Sequence, residues 1–417
     1  MLHRLIFTDE KNIARAAGLW NAIFSILNAL QSVVLMFMIA RVCGDEDAGV
    51  FSFAFSVAYL LIMIGNYGVR NYQATDVQEV YSSRDYIIHR IMTCILMMLC
   101  SFVYIFIKHY ELDKSLVVLL ACFLKMLESI EDVFHGLYHR KGRLDVASKI
   151  GVIRYMFCIV SFAIALFINR SIVISFVVMD AVSLLVLTIM LIYTYPKLVN
   201  NTKKTIAKWK ELFVVCFPLF MSTFFNIYIC NAAKYAIDRY YSDRIQAYYG
   251  MLFMPVFVIN LLCSCIYRPH MVELAEHWLS GGREKITAFI RKQMLYILLI
   301  SAVVIIAGYF IGTQVLSWFY GTDLAGYKVV FAILLLGGGM TATVDFMNNI
   351  ITIMRRQVVL IWLYGFVALL ALISTRILVA KLELMGAAIS YAGILLVQAI
   401  IMTVYVVITM NKASRNE

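Results

Sequence analysis

Apolar residues run along this chain in blocks of about twenty, separated by short polar and basic stretches, with almost no alternation at a period of two. A helix needs about 20 mostly apolar residues to cross the hydrocarbon core of a bilayer. Twelve such blocks are present, near residues 16–39, 48–68, 87–107, 115–138, 145–168, 171–194, 211–236, 247–267, 293–318, 327–351, 357–379 and 385–410. The pattern predicts an all-α polytopic membrane protein with about 12 transmembrane helices. Residues 16–39 are long and run into Arg41 rather than a small-residue cleavage site, so they are expected to form the first span rather than a cleaved leader.

Composition agrees. The 417 residues are 63% hydrophobic and 15% charged, with mean hydropathy +0.85, more apolar surface than a water-soluble fold of this size can bury. A net charge of +11 raises the question of a nucleic-acid partner, and the placement of the charges answers it. With the N-terminus in the cytosol, 25 of the 36 Lys and Arg fall on the cytosolic side. That is the positive-inside pattern, with both termini cytosolic, so basicity reports topology and no nucleic acid is expected. The cysteines are mostly within spans, and Cys263 and Cys265 lack a partner pair at metal-ligand spacing, so no metal site is expected. No GxxxxGK[ST] and no HExxH occurs, which argues against an ATP-driven pump or a zincin.

The longest basic stretch, Pro196 to Phe213, divides the chain nearly in half. The expected organisation is a six-helix lobe over residues 1–196, a basic cytosolic linker at 197–212, and a second lobe over 213–417. With Ile206, Trp209 and Phe213 among lysines, the linker is either a surface-lying amphipathic helix or a solvated loop. Aligning "ARVCGDEDAGVF" on "DRYYSDRIQAYY" sets Arg41 on Arg239 and Asp45 on Asp243 at the junction of the first two spans of each half, consistent with a repeat. Two of the four prolines, Pro218 and Pro255, fall inside the first two spans of the second half, where they would kink a helix, either for packing or beside a cavity.

Charges inside spans are costly and usually face protein or a wet cavity. In the fourth span Lys125, Glu128, Asp132 and His135 share one helical face, with Glu131 close by. Lys125 lies roughly 15 Å into that span, and Arg154 of the fifth reaches a comparable depth, within range of a carboxylate partner. These groups either form an ion-pair network locking helices together or line a cavity that holds a charged ligand. Asn21, Asn28 and Gln31 form a stripe on the first span suited to interhelical hydrogen bonds. The tenth span carries Gly337 to Gly339, Asp345, Asn348 and Asn349; Arg376 and Asp180 stand isolated. Asn231, Lys234 and Asp238 share a face near the end of the seventh span, either as a snorkelling pair or as a cation offered to an anionic headgroup.

Four blocks carry a family resemblance: "SVVLMFMIARVCGDEDAGVFSFAFS"; "YGVRNYQATDV" with Gly68, Arg70, Tyr72, Gln73 and Asp76; "KMLESIEDVFHGLYHRKGRLDVASK"; and "NAAKYAIDRY" with Asn231, Ala232, Lys234, Tyr235, Ile237 and Asp238. The chain resembles the Wzx-like polysaccharide flippases of the multidrug/oligosaccharidyl-lipid/polysaccharide (MOP) exporter superfamily. It departs from the pattern at Ala233, where proline is usual, and at His139–Arg140, where a glutamine is usual.

The resemblance implies two pseudo-symmetric six-helix lobes, MATE/MOP-like, with a cavity between them. It implies alternating-access transport of a polyprenyl-diphosphate-linked oligosaccharide across the cytoplasmic membrane for surface polysaccharide biosynthesis. The implied drive is a proton or sodium gradient, without ATP, without a cofactor and without enzymatic activity. Partners would be the lipid-linked saccharide, membrane lipids and polysaccharide-assembly proteins. On this reading Arg70, Lys125, Arg154, Asn231 and Lys234 meet the headgroup, while Glu128, Asp132, Asp238 and Asp345 balance charge or couple the ion. Alternatives are a drug/cation antiporter on the same fold, a peptidoglycan-precursor flippase, which usually has fourteen spans, and a polytopic polymerase or glycosyltransferase. That last class tends to carry a large extramembrane loop.

Overall fold

The computed structural model describes residues 6–76, 80–199, 208–280, 283–356 and 358–415, and all regular structure among them is helical. In chain order the helices are α1 (Ile13–Val42), α2 (Asp45–Asn66), the short α3 (Val69–Thr75), α4 (Ser83–Lys108), α5 (Leu112–Arg140), α6 (Leu144–Asn169) and α7 (Ile172–Leu198). Then follow α8 (Trp209–Tyr240), α9 (Asp243–Phe253), α10 (Val256–Tyr267), α11 (Met271–Leu279), α12 (Arg283–Ala307), α13 (Thr313–Tyr320), α14 (Lys328–Ile353) and α15 (Val358–Arg415). Contacts divide the chain into two compact units, Met1–Phe224 and Phe225–Glu417, with the boundary inside α8. Of the basic stretch at 197–212, residues 200–207 lie outside the described residues, and Trp209 opens α8.

Ten stretches among the described residues are long and apolar enough to cross a membrane. Two further crossings follow from the geometry. The stretch Val358–Asn411 has 54 residues, about 80 Å of helix at 1.5 Å per residue, far more than one bilayer requires. It is broken at Glu383 (φ 48°, ψ −128°), so it makes two spans. Helix α5, 29 residues long, is apolar apart from its charged face, and that face is turned into the protein, so it makes the other span. The expectation of twelve spans therefore agrees with the fold.

Local chemistry sets the helix ends. Asp45, Glu46 and Asp47 occupy the first turn of α2, where the helix dipole favours carboxylates. The aligned Asp243 opens α9 in the same way. Helix α4 starts with a capping box: the Asp85 amide donates to Ser82 Oγ (3.2 Å) and the Ser82 amide to Asp85 Oδ2 (3.1 Å). Between α2 and α3 the chain turns through Tyr67 and Gly68, both left-handed, and a side chain on Gly68 would strike Leu219. Pro255 divides the eighth span into α9 and α10, and a π-helical turn at Gly308–Gly312 separates α12 from α13. Pro218 sits inside α8 without ending it.

In the first unit, α5 packs on α2, α4, α6, α7 and the short α3. It is the element around which the polar groups of that unit are arranged.

Candidate functional site

Helix α5 carries Lys125, Glu128, Ser129, Glu131, Asp132 and His135 on its inward side; Lys125 and Glu128 pair within the helix, and neighbouring helices supply the counter-charges of Glu131 and Asp132. Lys125 Nζ donates to Glu128 Oε2 (2.7 Å) and to Gln31 Oε1 of α1 (3.1 Å), and lies 4.3 Å from the centre of the Tyr59 ring of α2. Arg154 of α6 donates through Nε to Glu131 Oε2 (2.5 Å) and through Nη1 to Ser183 Oγ of α7 (3.2 Å). Arg90 of α4 reaches Ser129 Oγ (2.9 Å), Asn66 Oδ1 (3.1 Å), the Gly65 carbonyl (2.5 Å) and Asp132 Oδ2 (3.0 Å). Arg70 of α3 takes the other Asp132 oxygen at 2.8 Å. The close approach of α2 to α5 that lets Arg90 bind a backbone carbonyl needs Gly65, because a Cβ there would sit 2.9 Å from Ser129 Oγ.

Four cations thus face three carboxylates, leaving one positive charge in excess when all are ionised. The members differ in access. The side chains of Lys125 and Arg154 are 0% exposed, whereas that of Arg70 is 39% exposed. Asp132 is therefore shared between a buried arginine, held by four acceptors, and an exposed one, for which no other hydrogen-bond acceptor is found among the described residues. An incoming anion can compete for Arg70 without unseating Arg90.

The Gly-x-Arg-x-Tyr-Gln-x-x-Asp block fixes Arg70 in place. Gln73 Nε2 donates to the Val133 carbonyl of α5 (3.2 Å). Asp76 receives the amides of Val80 (2.9 Å) and Tyr81 (3.1 Å) and the Tyr86 hydroxyl (2.9 Å), with Arg140 at 3.7 Å. These bonds tie the C-terminal end of the α3 segment to α5, to α4 and to the chain leading into α4.

In the second unit the candidate residues are more dispersed. Asn231 Nδ2 donates to the Ile227 carbonyl of its own helix (3.0 Å). Lys234, 7% exposed, places its ammonium 5.2 Å from the Phe253 ring centre, and no carboxylate among the described residues pairs with it. The geometry thus gives a cation–π contact in place of an i,i+4 pair with Asp238, consistent with the poorer Lys-first orientation. Asp345 accepts from Asn260 Nδ2 of α10 at 2.6 Å.

Sequence reading placed Arg154 near a carboxylate and Gln31 in an interhelical bond, and both are present. It missed Arg90, which lies near the start of the third span and is one of the 25 Lys and Arg counted on the cytosolic side, and the signal was available. Tyr86, His89, Arg90, Thr93, Cys94 and Met97 follow helical spacing, and all are buried.

Residues 14–275 match the family described as "Polysaccharide biosynthesis protein". The capsular polysaccharide biosynthesis protein CapF of Staphylococcus aureus is 20% identical over 369 residues, 88% of this chain and 92% of that protein. Among solved structures, an inward-facing multidrug resistance MATE family transporter of the MOP superfamily superposes with TM-score 0.72 at 12% identity, covering 93% of this chain and 96% of its own. An outward-facing MATE transporter gives TM-score 0.62 at 13% identity over 99% of both chains. A MOP superfamily transporter from Pyrococcus furiosus, described as having a binding pocket of reverse polarity that suggests a different function, gives 0.63 at 11% identity, covering 99% of this chain and 98% of its own. The fold is that of the MATE/MOP transporters.

Proposed function

This chain belongs to the polysaccharide biosynthesis protein family, and from that premise we propose that it is a secondary flippase for a polyprenyl-diphosphate-linked oligosaccharide. It would work in the cytoplasmic membrane with both termini in the cytosol, by alternating access, coupled to a proton or sodium gradient and alongside polysaccharide-assembly proteins.

The observation that carries this reading is the unequal sharing of Asp132 between Arg90 and Arg70. A diphosphate cannot cross hydrocarbon unaided, because stripping water from its charge costs many kcal/mol. It needs a cation that can be released from its resting partner, and Arg70 is exposed, held in place by the α3 segment, and bonded to a carboxylate with a second owner. A guanidinium offers several donors in a fixed fork suited to phosphate oxygens. Lys234, with a ring rather than a carboxylate against it, is the second cation in this scheme, and Asn231 lies one turn before it. Lys125 and Arg154 are enclosed with their own counter-charges. They hold α5 to its neighbours, and meet the headgroup only in a state that opens them. Glu128 and Asp132 balance these cations; Asp238 and Asp345 are assigned the same role in the second unit. A net positive cluster disfavours an organic-cation cargo, which weighs against the drug antiporter.

The test is a leaflet-sidedness assay in proteoliposomes carrying a polyprenyl-diphosphate oligosaccharide, read by a membrane-impermeant glycosidase. Arg70→Ala and Lys234→Ala should each slow translocation, with the reconstituted protein still folded. Wild-type rates in both variants would refute the assignment.

A further inference from the structure

Asp180 is the buried acid for which the scheme above has no use. It lies eight residues into α7, about 12 Å from the start of that helix and so at hydrocarbon depth. It is 3% exposed, and no donor among the described residues reaches either carboxyl oxygen. Helix α7 packs on α5 and α6, and Phe51 and Phe55 of α2 pack against its Phe176. From α5 the charged group facing Asp180 is Glu128, whose Oε2 is held by Lys125 while Oε1 is buried without a partner. Glu131 follows one turn along α5, committed to Arg154.

From α6 come Arg154, which binds Ser183 three residues beyond Asp180, the Tyr155 hydroxyl, which is committed to Asn28 of α1, and Cys158, whose thiol lies 4.0 Å from the Met179 carbonyl. The titratable side chain of α2 in this region, Tyr59, lies over Lys125. No titratable residue lies on α7 within a turn of Asp180. Asp180 therefore faces a carboxylate and no cation.

A carboxylate in that setting lacks both ways of offsetting its desolvation, a paired charge and hydrogen bonds. Neutralisation by a proton is the remaining one. The cation on the neighbouring helix is Arg154, whose Nη2 is buried and without a partner and whose Nη1 already touches α7 at Ser183.

We propose that Asp180 is the proton carrier of this transporter, a neutral acid in the conformation seen here, and that Arg154 moves toward it when the proton is released. The proposal rests on the transport reading above and names the group that would couple it to a proton gradient. In the step, the Asp180 O–H bond breaks, the proton passes to water on whichever side the site is open to, and the negative charge stays on the carboxylate. Arg154 then divides its donors between Glu131 of α5 and Asp180 of α7. The hold of α5 on α6 and α7 thereby changes with the protonation state, which is what a coupled transporter requires of its ion site.

Two readouts separate this proposal from the transport reading. Infrared difference spectra of the purified full-length protein at neutral pH should show the C=O stretch of a protonated carboxyl group that is lost in Asp180→Asn. A band unchanged by the substitution overturns the proposal, whatever the protein transports. In proteoliposomes, imposing a pH gradient should accelerate translocation by the wild type and not by Asp180→Asn; an undiminished gradient response in the variant also overturns it. If the wild type moves no polyprenyl-linked saccharide at all, the transport reading fails while the infrared result stands on its own. Should Asp180→Asn not fold, Asp180→Glu must shift the band, and an unshifted band is the refuting result.

Discussion

Removing Glu131 is the sharpest test of how the charges inside α5 are held. Arg154 is wholly buried and its Nε–Glu131 bond is 2.5 Å, so Glu131→Met leaves a guanidinium at membrane depth with Ser183 as its remaining direct hydrogen-bond partner. Breaking a buried pair from one side costs about 3–5 kcal/mol, because the surviving charge keeps its desolvation and loses its compensation. Against a typical total of about 5–15 kcal/mol, that is a large share of the stability of the first unit. Replacing both partners with apolar side chains of similar volume removes the stranded charge. The double variant Glu131→Met/Arg154→Met should then lose only about 1 kcal/mol, mostly from the orphaned Ser183 hydroxyl. With each single variant losing about 3–5 kcal/mol and the double about 1, the coupling energy from the cycle is expected at roughly 5–9 kcal/mol. Equilibrium unfolding in mixed micelles measures all four corners. A single-variant loss of about 1 kcal/mol or less, the range of exposed pairs, would refute the claim that this pair is sealed from water. So would a double variant as unstable as the single.

Other expectations follow from single features. Ser82→Ala removes the hydroxyl that caps α4 and should cost about 1 kcal/mol in the same unfolding measurement. Glu383→Gly relieves a non-glycine residue at φ 48°, ψ −128° and should stabilise the protein by about 1 kcal/mol. Burial, reinforced by the charge and hydrogen bond of Asp47, pushes the Cys43 thiol up to about 11. The nucleophile is the thiolate, so alkylation of Cys43 should be slow at neutral pH and climb as pH approaches 11. Mass spectrometry of iodoacetamide-treated protein across that range checks this, with Asp47→Asn expected to move the rise to lower pH.

The twelve spans were legible because hydrophobic blocks of bilayer length have few other uses, and the charged face of α5 because a 100° step aligns its residues. Partners were harder to read. Arg90 looked like a loop charge when Lys and Arg were sorted by side, yet it enters the same cluster from α4 through spacing that an amphipathic reading of that helix reveals. Lys234 and Asp238 share a helical face, but the Phe253 ring sits where a carboxylate was conceivable, and no local pattern specifies a residue 19 positions away. Asp180 stood alone in sequence for the same reason that it stands out in the fold: none of its neighbours offers it a counter-charge. Pairing across helices is decided by packing, which one-dimensional periodicity does not encode.

The polar face of α5 also bears on how the chain is made. On the insertion scale each Asp, Lys or Arg at the centre of a helix costs about 2.5–3.5 kcal/mol, and α5 brings Lys125, Glu128, Glu131 and Asp132 to the translocon at once. Its compensating residues arrive at different times: Gln31, Arg70 and Arg90 have already been synthesised, whereas Arg154 is still inside the ribosome. A nascent chain arrested before α6 should therefore leave α5 poorly integrated, and one extended past Asn169 should rescue it. Biogenesis of this membrane protein would then proceed by bundles of helices released together, not one helix at a time.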